Sequence, residues 1–128
     1  MSDEARIPED VLAEAPLPSG TGCEECDADN GWWFHLRRCV ECGHIGCCDD
    51  SLGRHATGHY RTTGHRYLRS FEPGENWFWD YRDERPVAGG ILPPPEHHPL
   101  DQPTPGPAGR VPGDWQRILL AARESRGE

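Results

Sequence analysis

Lysine is missing from this chain: all 13 of its basic residues other than histidine are arginines. No side-chain amine is therefore present for Schiff-base chemistry or for isopeptide attachment. A GC-rich coding sequence accounts for such a bias without any functional cause. Long apolar runs are also lacking, and none approaches the length of about 20 residues that spans a bilayer. The opening Met1-Ser2-Asp3-Glu4-Ala5 is acidic and holds no apolar stretch of the secretion-signal kind, so a cytoplasmic location and no membrane partner are expected. Positive charge is scarce as well, with 22 Asp and Glu giving a net charge of −9. A protein whose main partner is nucleic acid should carry a basic balance or face. That partner is disfavoured, although Arg37, Arg38, Arg54, Arg61, Arg66 and Arg69 could still form a local patch.

Apolar residues are few too, at 34%, while Pro (13) and Gly (15) are many. The acids cluster: residues 1–20 hold five against one Arg, residues 24–29 hold four, and residues 72–84 hold five against one Arg. This pattern divides the chain into a flexible acidic arm (1–20), a folded unit (21–92), a Pro-rich linker (93–113) and a short amphipathic helix (114–128). Between 93 and 112, eight of the twenty residues are Pro. In the last segment Trp115, Ile118, Leu119 and Ala122 fall on one helical face, suited either to docking on the domain or to holding a partner. The folded unit, about 75 residues, is too small to be stable on apolar burial alone without a metal or disulfides.

What the chain does have is six Cys and seven His in ordered spacing. Cys23 and Cys26 are separated by two residues, as are Cys39 and Cys42; Cys47 follows, then His55, His59 and His65. Each Cys pair can present two thiolates from one tight turn to one ion, and His55 and His59 fall on one face of a helix. Eight donors make two closed tetrahedral zinc sites. Their order predicts cross-bracing, with Cys23, Cys26, Cys47 and His55 on one ion and Cys39, Cys42, His59 and His65 on the other. Two alternatives stay open: an all-cysteine site from both Cys pairs, and Cys48 in place of Cys47. Cys48 could also be a small buried residue or a reactive thiol, the basis of a redox or metal sensor.

Catalysis is not expected. Two ions with four protein ligands each leave no open position for water. His55 is followed by Ala56 rather than Glu, so the metalloprotease helix motif is absent. There is no Gly-rich phosphate loop and no nucleophile elbow.

The pattern also predicts a strand near residues 32–38, a helix over 51–63 capped by Asp50 or Ser51 and closed by Gly64, and strands at 66–71, 77–82 and 87–92. Pro73-Gly74 supplies a turn. The fold class is α+β: a small antiparallel sheet with one or two helices, braced by two cross-linked zinc sites.

The motif Cys39-Val-Glu-Cys42-Gly-His-Ile-Gly-Cys47, together with Arg54-His55, His59-Tyr60, Gly64-His65 and Trp77-Phe78-Trp79-Asp80-Tyr81, resembles the ubiquitin-binding UBP-type zinc finger. The segment Cys47-Cys48-Asp49-Asp50 is similar to the stand-alone bacterial branch. The resemblance covers roughly residues 21–84 and implies a zinc-braced sheet with two helices. It also implies an aromatic pocket for a free C-terminal Gly-Gly tail, with an Arg for the carboxylate. Trp79 and Tyr81 match the aromatic side. The carboxylate-binding Arg would stand two residues after Cys47, where this chain has Asp49. A third zinc found in some members would need Cys at positions 80 and 83, which are Asp here. The expectation is a monomeric module with two zincs. It would dock a protein or peptide tail near Trp33, Trp77, Trp79 and Tyr81.

Overall fold

A computed structural model describes residues 5–127. The core of the fold is a five-stranded sheet in the order β2-β1-β3-β4-β5, with every neighbouring pair antiparallel. Its strands are β1 (Leu36–Cys39), β2 (Ile45–Cys47), β3 (Tyr67–Ser70), β4 (Phe78–Asp80) and β5 (Arg85–Val87). Four helices complete the described residues: α1 (Glu9–Ala13), α2 (Glu24–Asp29), α3 (His55–Thr63) and α4 (Trp115–Ser125). Strands of three or four residues are too short to be stable by themselves, so what holds their ends decides the structure.

β1 and β2 form a hairpin around the second Cys pair. The Gly43 N–H donates to the Cys39 carbonyl at 2.9 Å, and the Cys39 N–H donates to the His44 carbonyl at 2.8 Å. Gly43 has φ of +83°, and a Cβ there would stand 2.2 Å from the Leu17 carbonyl oxygen, so only glycine fits. From β2 the chain crosses through α3 and returns as β3 beside β1, in the register Arg38↔Arg69. α3 ends at Gly64, whose left-handed φ of 78° closes the helix as anticipated.

Its start differs from the expected one. The helix begins at His55, after Arg54 in a left-handed conformation, rather than at residue 51. The Ser51 hydroxyl is used elsewhere: it accepts the Phe34 N–H at 2.8 Å. Gly53 then passes so close to the His55 ring that a Cβ would lie 2.3 Å from it. α2 falls in the acidic stretch that reads as charge alone. Cys23 is its N-cap, accepting the Cys26 N–H at 3.5 Å, and Glu24, Glu25 and Asp27 crowd the first turn, where the helix dipole favours acids.

Two further expectations need correction. Over the described residues the acidic arm is docked rather than flexible. Ile7 is fully buried, its N–H donates to the Ala88 carbonyl at 2.9 Å, and Ala88 donates back to Ala5 at 2.8 Å. Ile7, with Val11 and Leu12 against it, joins a core of Val40, Tyr67, Phe78, Val87 and Leu92. Glu9, Asp10 and Glu14 face solvent, which gives the segment its disordered-looking composition. The arm bridges to Ala88, one residue past the end of β5.

The Pro-rich segment is a strap, not a spacer. Trp33 and Gly106 exchange both backbone hydrogen bonds, at 2.9 and 3.0 Å. Arg110 reaches Asp27 at 3.0 Å and the Gly31 carbonyl at 3.0 Å, and His98 meets Glu72 at 3.2 Å. α4 then packs Trp115 against Phe34, ring centres 5.8 Å apart, and buries Leu119. The helix expected over 114–128 is therefore present and docked.

Asp80 and Asp83, at the positions where some UBP-type fingers would need further Cys ligands, hold an arginine instead. The Arg66 guanidinium bonds both carboxylate oxygens of Asp80, with its Nε at 2.9 Å, and reaches Asp83 at 3.1 Å. Burial alone would raise the pKa of Asp80. The Arg66 guanidinium and the Asp83 and Arg82 N–H groups outweigh it and hold the carboxyl below its usual range. Arg66 is partly exposed and would keep Asp83, so Asp80→Ala mainly strands the Arg82 and Asp83 N–H groups and should cost about 1–3 kcal/mol in urea denaturation of the metal-loaded protein. The more exposed Asp83→Ala should cost under about 1 kcal/mol.

Candidate metal centre and the adjoining cleft

The eight spaced donors come together as two groups of four. Cys23, Cys26, Cys47 and His55 form one group, and Cys39, Cys42, His59 and His65 the other, with the donor atoms of each within 4.8 Å of one another. The local folding reasons are plain. The first Cys pair brackets the start of α2, the second brackets the β1–β2 turn, and Cys47 ends β2. α3 supplies His55 to the first group and His59, one turn later, to the second; His65 follows the Gly64 cap.

The distances test whether zinc fits. A tetrahedral ion with metal–sulfur bonds of about 2.3 Å and metal–nitrogen bonds of about 2.0–2.1 Å spaces its donors about 3.8 Å (S···S), 3.5 Å (S···N) and 3.4 Å (N···N) apart. In the first group, His55 Nδ1 lies 3.3, 3.3 and 3.5 Å from the sulfurs of Cys23, Cys26 and Cys47, and Cys26 and Cys47 are 4.0 Å apart. In the second, Cys42 is 3.3 Å from His59 Nε2, Cys39 is 3.7 Å from His65 Nδ1, and the two imidazole nitrogens are 3.4 Å apart. Both sets match tetrahedral edges. Charge in the first group points the same way. Hydrogen bonds with the Cys23 and Cys26 thiols hold Cys47 down to about 2, while those to Cys23 and Cys47 push Cys26 up. Carrying charge on all three sulfurs at once requires a cation among them.

This grouping bears on the open alternatives. Cys23 and Cys26 sit with Cys47, not with the other Cys pair, and Cys48 belongs to neither group. Cys48 is buried beside Ser51, with its sulfur 3.5 Å from the hydroxyl. Burial would raise its pKa, but hydrogen bonds with His35 and Ser51 prevail and lower it.

Two residues that the spacing does not flag link the groups. The ring of His44 stacks flat on His59, 4.0 Å between centres and 3° between planes, and its Nε2 lies 2.8 Å from both oxygens of Glu25. Glu25 stands between Cys23 and Cys26 in the chain. One buried imidazole thus orients a ligand of the second group while holding the loop of the first. The nearby Gly46 approaches so closely that a Cβ would lie 3.0 Å from His44.

Next to the donors lies an open cleft of about 550 Å³, lined by Arg37, Cys48, Asp49, Asp50, Leu68, Trp77, Trp79 and Tyr81. Three of the four expected aromatic residues are there. Trp77 is 40% exposed at the mouth, with the Arg37 guanidinium 4.6 Å above its ring. Tyr81 stacks on Tyr60 at 4.9 Å, and burial pushes its hydroxyl up to about 12. The fourth, Trp33, is not in the cleft. It is 2% exposed, packed among Cys23, Cys26, Leu36, Ile45, Cys47 and Phe71 under the strap. Its neighbour in an aromatic run gave no clue that Gly106 would cover it. Leu68 lines the cleft without having been singled out, and Arg37, expected only as part of an Arg patch, lines it too; alternation on β1, which turns Arg37 away from buried Leu36, was the available signal.

A family model described as "Zn-finger in ubiquitin-hydrolases and other protein" matches residues 23–90. The chain belongs to this family. It is similar to the solution NMR structure of protein RPA1320 from Rhodopseudomonas palustris, at 40% sequence identity and a TM-score of 0.60. That likeness covers 73% of this chain and 94% of the other. No curated protein matches the chain. As a member of this zinc-finger family, it has two donor groups suited to the metal the family is named for. Among the described residues, no helix is long and apolar enough to cross a membrane.

His44→Ala should weaken zinc retention about 10- to 100-fold, the usual effect of losing a partner that orients a ligand. Competition with a chromophoric chelator measures it. Cys48→Ser should leave zinc content at the wild-type level, and Cys47→Ser should lower it.

Proposed function

We propose that the protein is a non-catalytic interaction module in which two zinc ions brace an aromatic cleft that takes a segment of another protein. Cys23, Cys26, Cys47 and His55 would hold one ion and Cys39, Cys42, His59 and His65 the other. Bound zinc supplies cross-links that a core of this size needs, and four protein donors leave no position for a catalytic water. The observation that carries the reading is the cleft itself. It is open to solvent, as a segment of extended chain laid across it requires, and Trp77, Trp79 and Tyr81 offer ring surface at little conformational cost.

The family resemblance implies a tail ending in Gly-Gly with its free carboxylate clamped by Arg. Asp49 occupies that position, held by the Thr57 hydroxyl at 2.5 Å and by Arg54 at 3.5 Å. With Asp50 beside it, this rim repels a carboxylate and favours a neutral or basic segment. The arginines of the candidate nucleic-acid face are divided. Arg38 and Arg69 are buried against carbonyls of Pro16, Ser70 and Glu75, and Arg66 is engaged with Asp80 and Asp83. A protein partner fits this distribution better.

Titration of two Gly-Gly peptides, one with a free carboxylate and one amidated, tests the reading by NMR. The amide should bind at least as tightly as the acid, with saturable shifts at Trp79 and Tyr81. Binding of the acid at least tenfold tighter than the amide would overturn the view that Asp49 has removed the clamp.

A further inference from the structure

A second groove lies beside the cleft and shares one of its walls. It is an open depression of about 210 Å³ between Phe34 and α4, lined by Trp115, Leu119, Leu120, Arg123 and Asp50. Asp50 is the shared residue: it lines this groove and the aromatic cleft alike. The two depressions are thus neighbours across a single exposed carboxylate.

The chemistry of the groove differs from that of the cleft. Its walls are the partly exposed ring of Phe34, the indole of Trp115 and the side chain of Leu120, which is 56% exposed although its neighbour Leu119 is buried. Exposed apolar surface held open between the chain ahead of β1 and a docked helix is suited to one bulky apolar side chain. The wall it shares with the cleft is acidic. Asp49 is neutralised in part by Arg54, but Asp50 has no ion pair among the described residues. The chain's own Arg126, one residue past α4, lays its guanidinium 3.4 Å from the Asp49 carbonyl oxygen. A guanidinium therefore already has a resting place at this rim.

We infer that the cleft and the groove form one continuous track for a peptide carrying a basic side chain and, a few residues away, a bulky apolar one. The basic group sits at the Asp49–Asp50 rim against the aromatic rings, and the apolar group enters between Phe34, Trp115 and Leu120. This rests on the proposed peptide-binding role of the cleft and adds to it a second subsite and the partner's chemistry. It also gives the C-terminal helix, which the matched family segment does not include, a part in recognition. A cation–ring contact and an exposed carboxylate are each weak at such partly exposed sites, so neither alone makes a tight ligand. Linking them to an apolar anchor in one ligand raises affinity without any new contact between subsites.

The probe is a series of acetylated, amidated peptides holding one Arg and one Leu separated by zero to three Gly, followed through the indole N–H signals of the zinc-loaded full chain. For the best spacing, the Trp77, Trp79 and Trp115 signals should shift together and saturate with one dissociation constant. Replacing Leu by Ala should weaken binding at least fivefold and remove the Trp115 shift while leaving those of Trp77 and Trp79. Replacing Arg by Glu should abolish all three. The protein variant Leu120→Asp changes an exposed side chain, so the fold is kept; it should mimic the Leu-to-Ala peptide. If Trp79 responds but Trp115 never does, and Leu adds nothing, the continuous track is wrong while the cleft remains a peptide site. If Trp115 and Trp79 saturate with unrelated constants, the two depressions are independent and the track is again wrong. If no indole responds to any peptide in either titration series, the peptide-binding role falls along with it.

Discussion

One helical turn carries the structure. His55 and His59, four residues apart on α3, belong to different donor groups, so this short helix is bonded at once to the α2 loop, the β1–β2 turn and the end of β2. Where they meet, thiol sulfurs and imidazole nitrogens stand 3.3–4.0 Å apart, the spacing of ligands around one zinc ion. With metal they become strong bonds that close loops otherwise costly in chain entropy. Strands of three and four residues and a sparse apolar core depend on them. His44 extends the same constraint, since its stacking on His59 and its contact with Glu25 make the two groups one unit.

The cleft inherits its shape from this brace. Arg37 lies two residues before Cys39 on β1, while Cys48 and Asp49 follow Cys47 directly. Only the strands β3 and β4 supply cleft walls at a distance from the donors, and Arg66–Asp80 pins that side with an ion pair. Any ligand that needs the assembled cleft also favours the metal-loaded state, because each binds the folded chain and not the unfolded one. The strap and α4 close the opposite margin: Trp33 disappears beneath Gly106, and Asp50 becomes the boundary between two depressions.

The donor grouping was legible because it is written in spacing. Two Cys pairs, a Cys after a Gly-rich turn and two His on one helical face admit few threadings, and the cross-braced one is the arrangement found. Gly64 and the Pro73-Gly74 turn, with Gly74 at φ +81°, were legible for the same reason: each needs a backbone conformation that glycine alone adopts freely. Docking of the ends was not. Ile7, Val11 and Leu12 are scattered among acids, and nothing local says that Ile7 fills a gap beside Val87. Pro105-Gly106-Pro107 reads as extended chain, whereas the chain bends at Thr104-Pro105 and Gly106 pairs with Trp33 rather than spanning solvent. Ser51 has the chemistry of a helix cap, yet its hydroxyl went to Phe34. Long-range partners of this kind leave no periodic mark on either segment.

Substitution of the bound metal by ¹¹³Cd and one-dimensional ¹¹³Cd NMR tests the cross-brace most directly. Two resonances of equal area are predicted, the one from Cys23, Cys26, Cys47 and His55 lying downfield of the one from Cys39, Cys42, His59 and His65, because it has three sulfurs rather than two. Cys23→Ser should move only the first, and His65→Ala only the second. A single resonance, or one at the four-sulfur position produced by pairing both Cys-x2-Cys turns, would contradict the account.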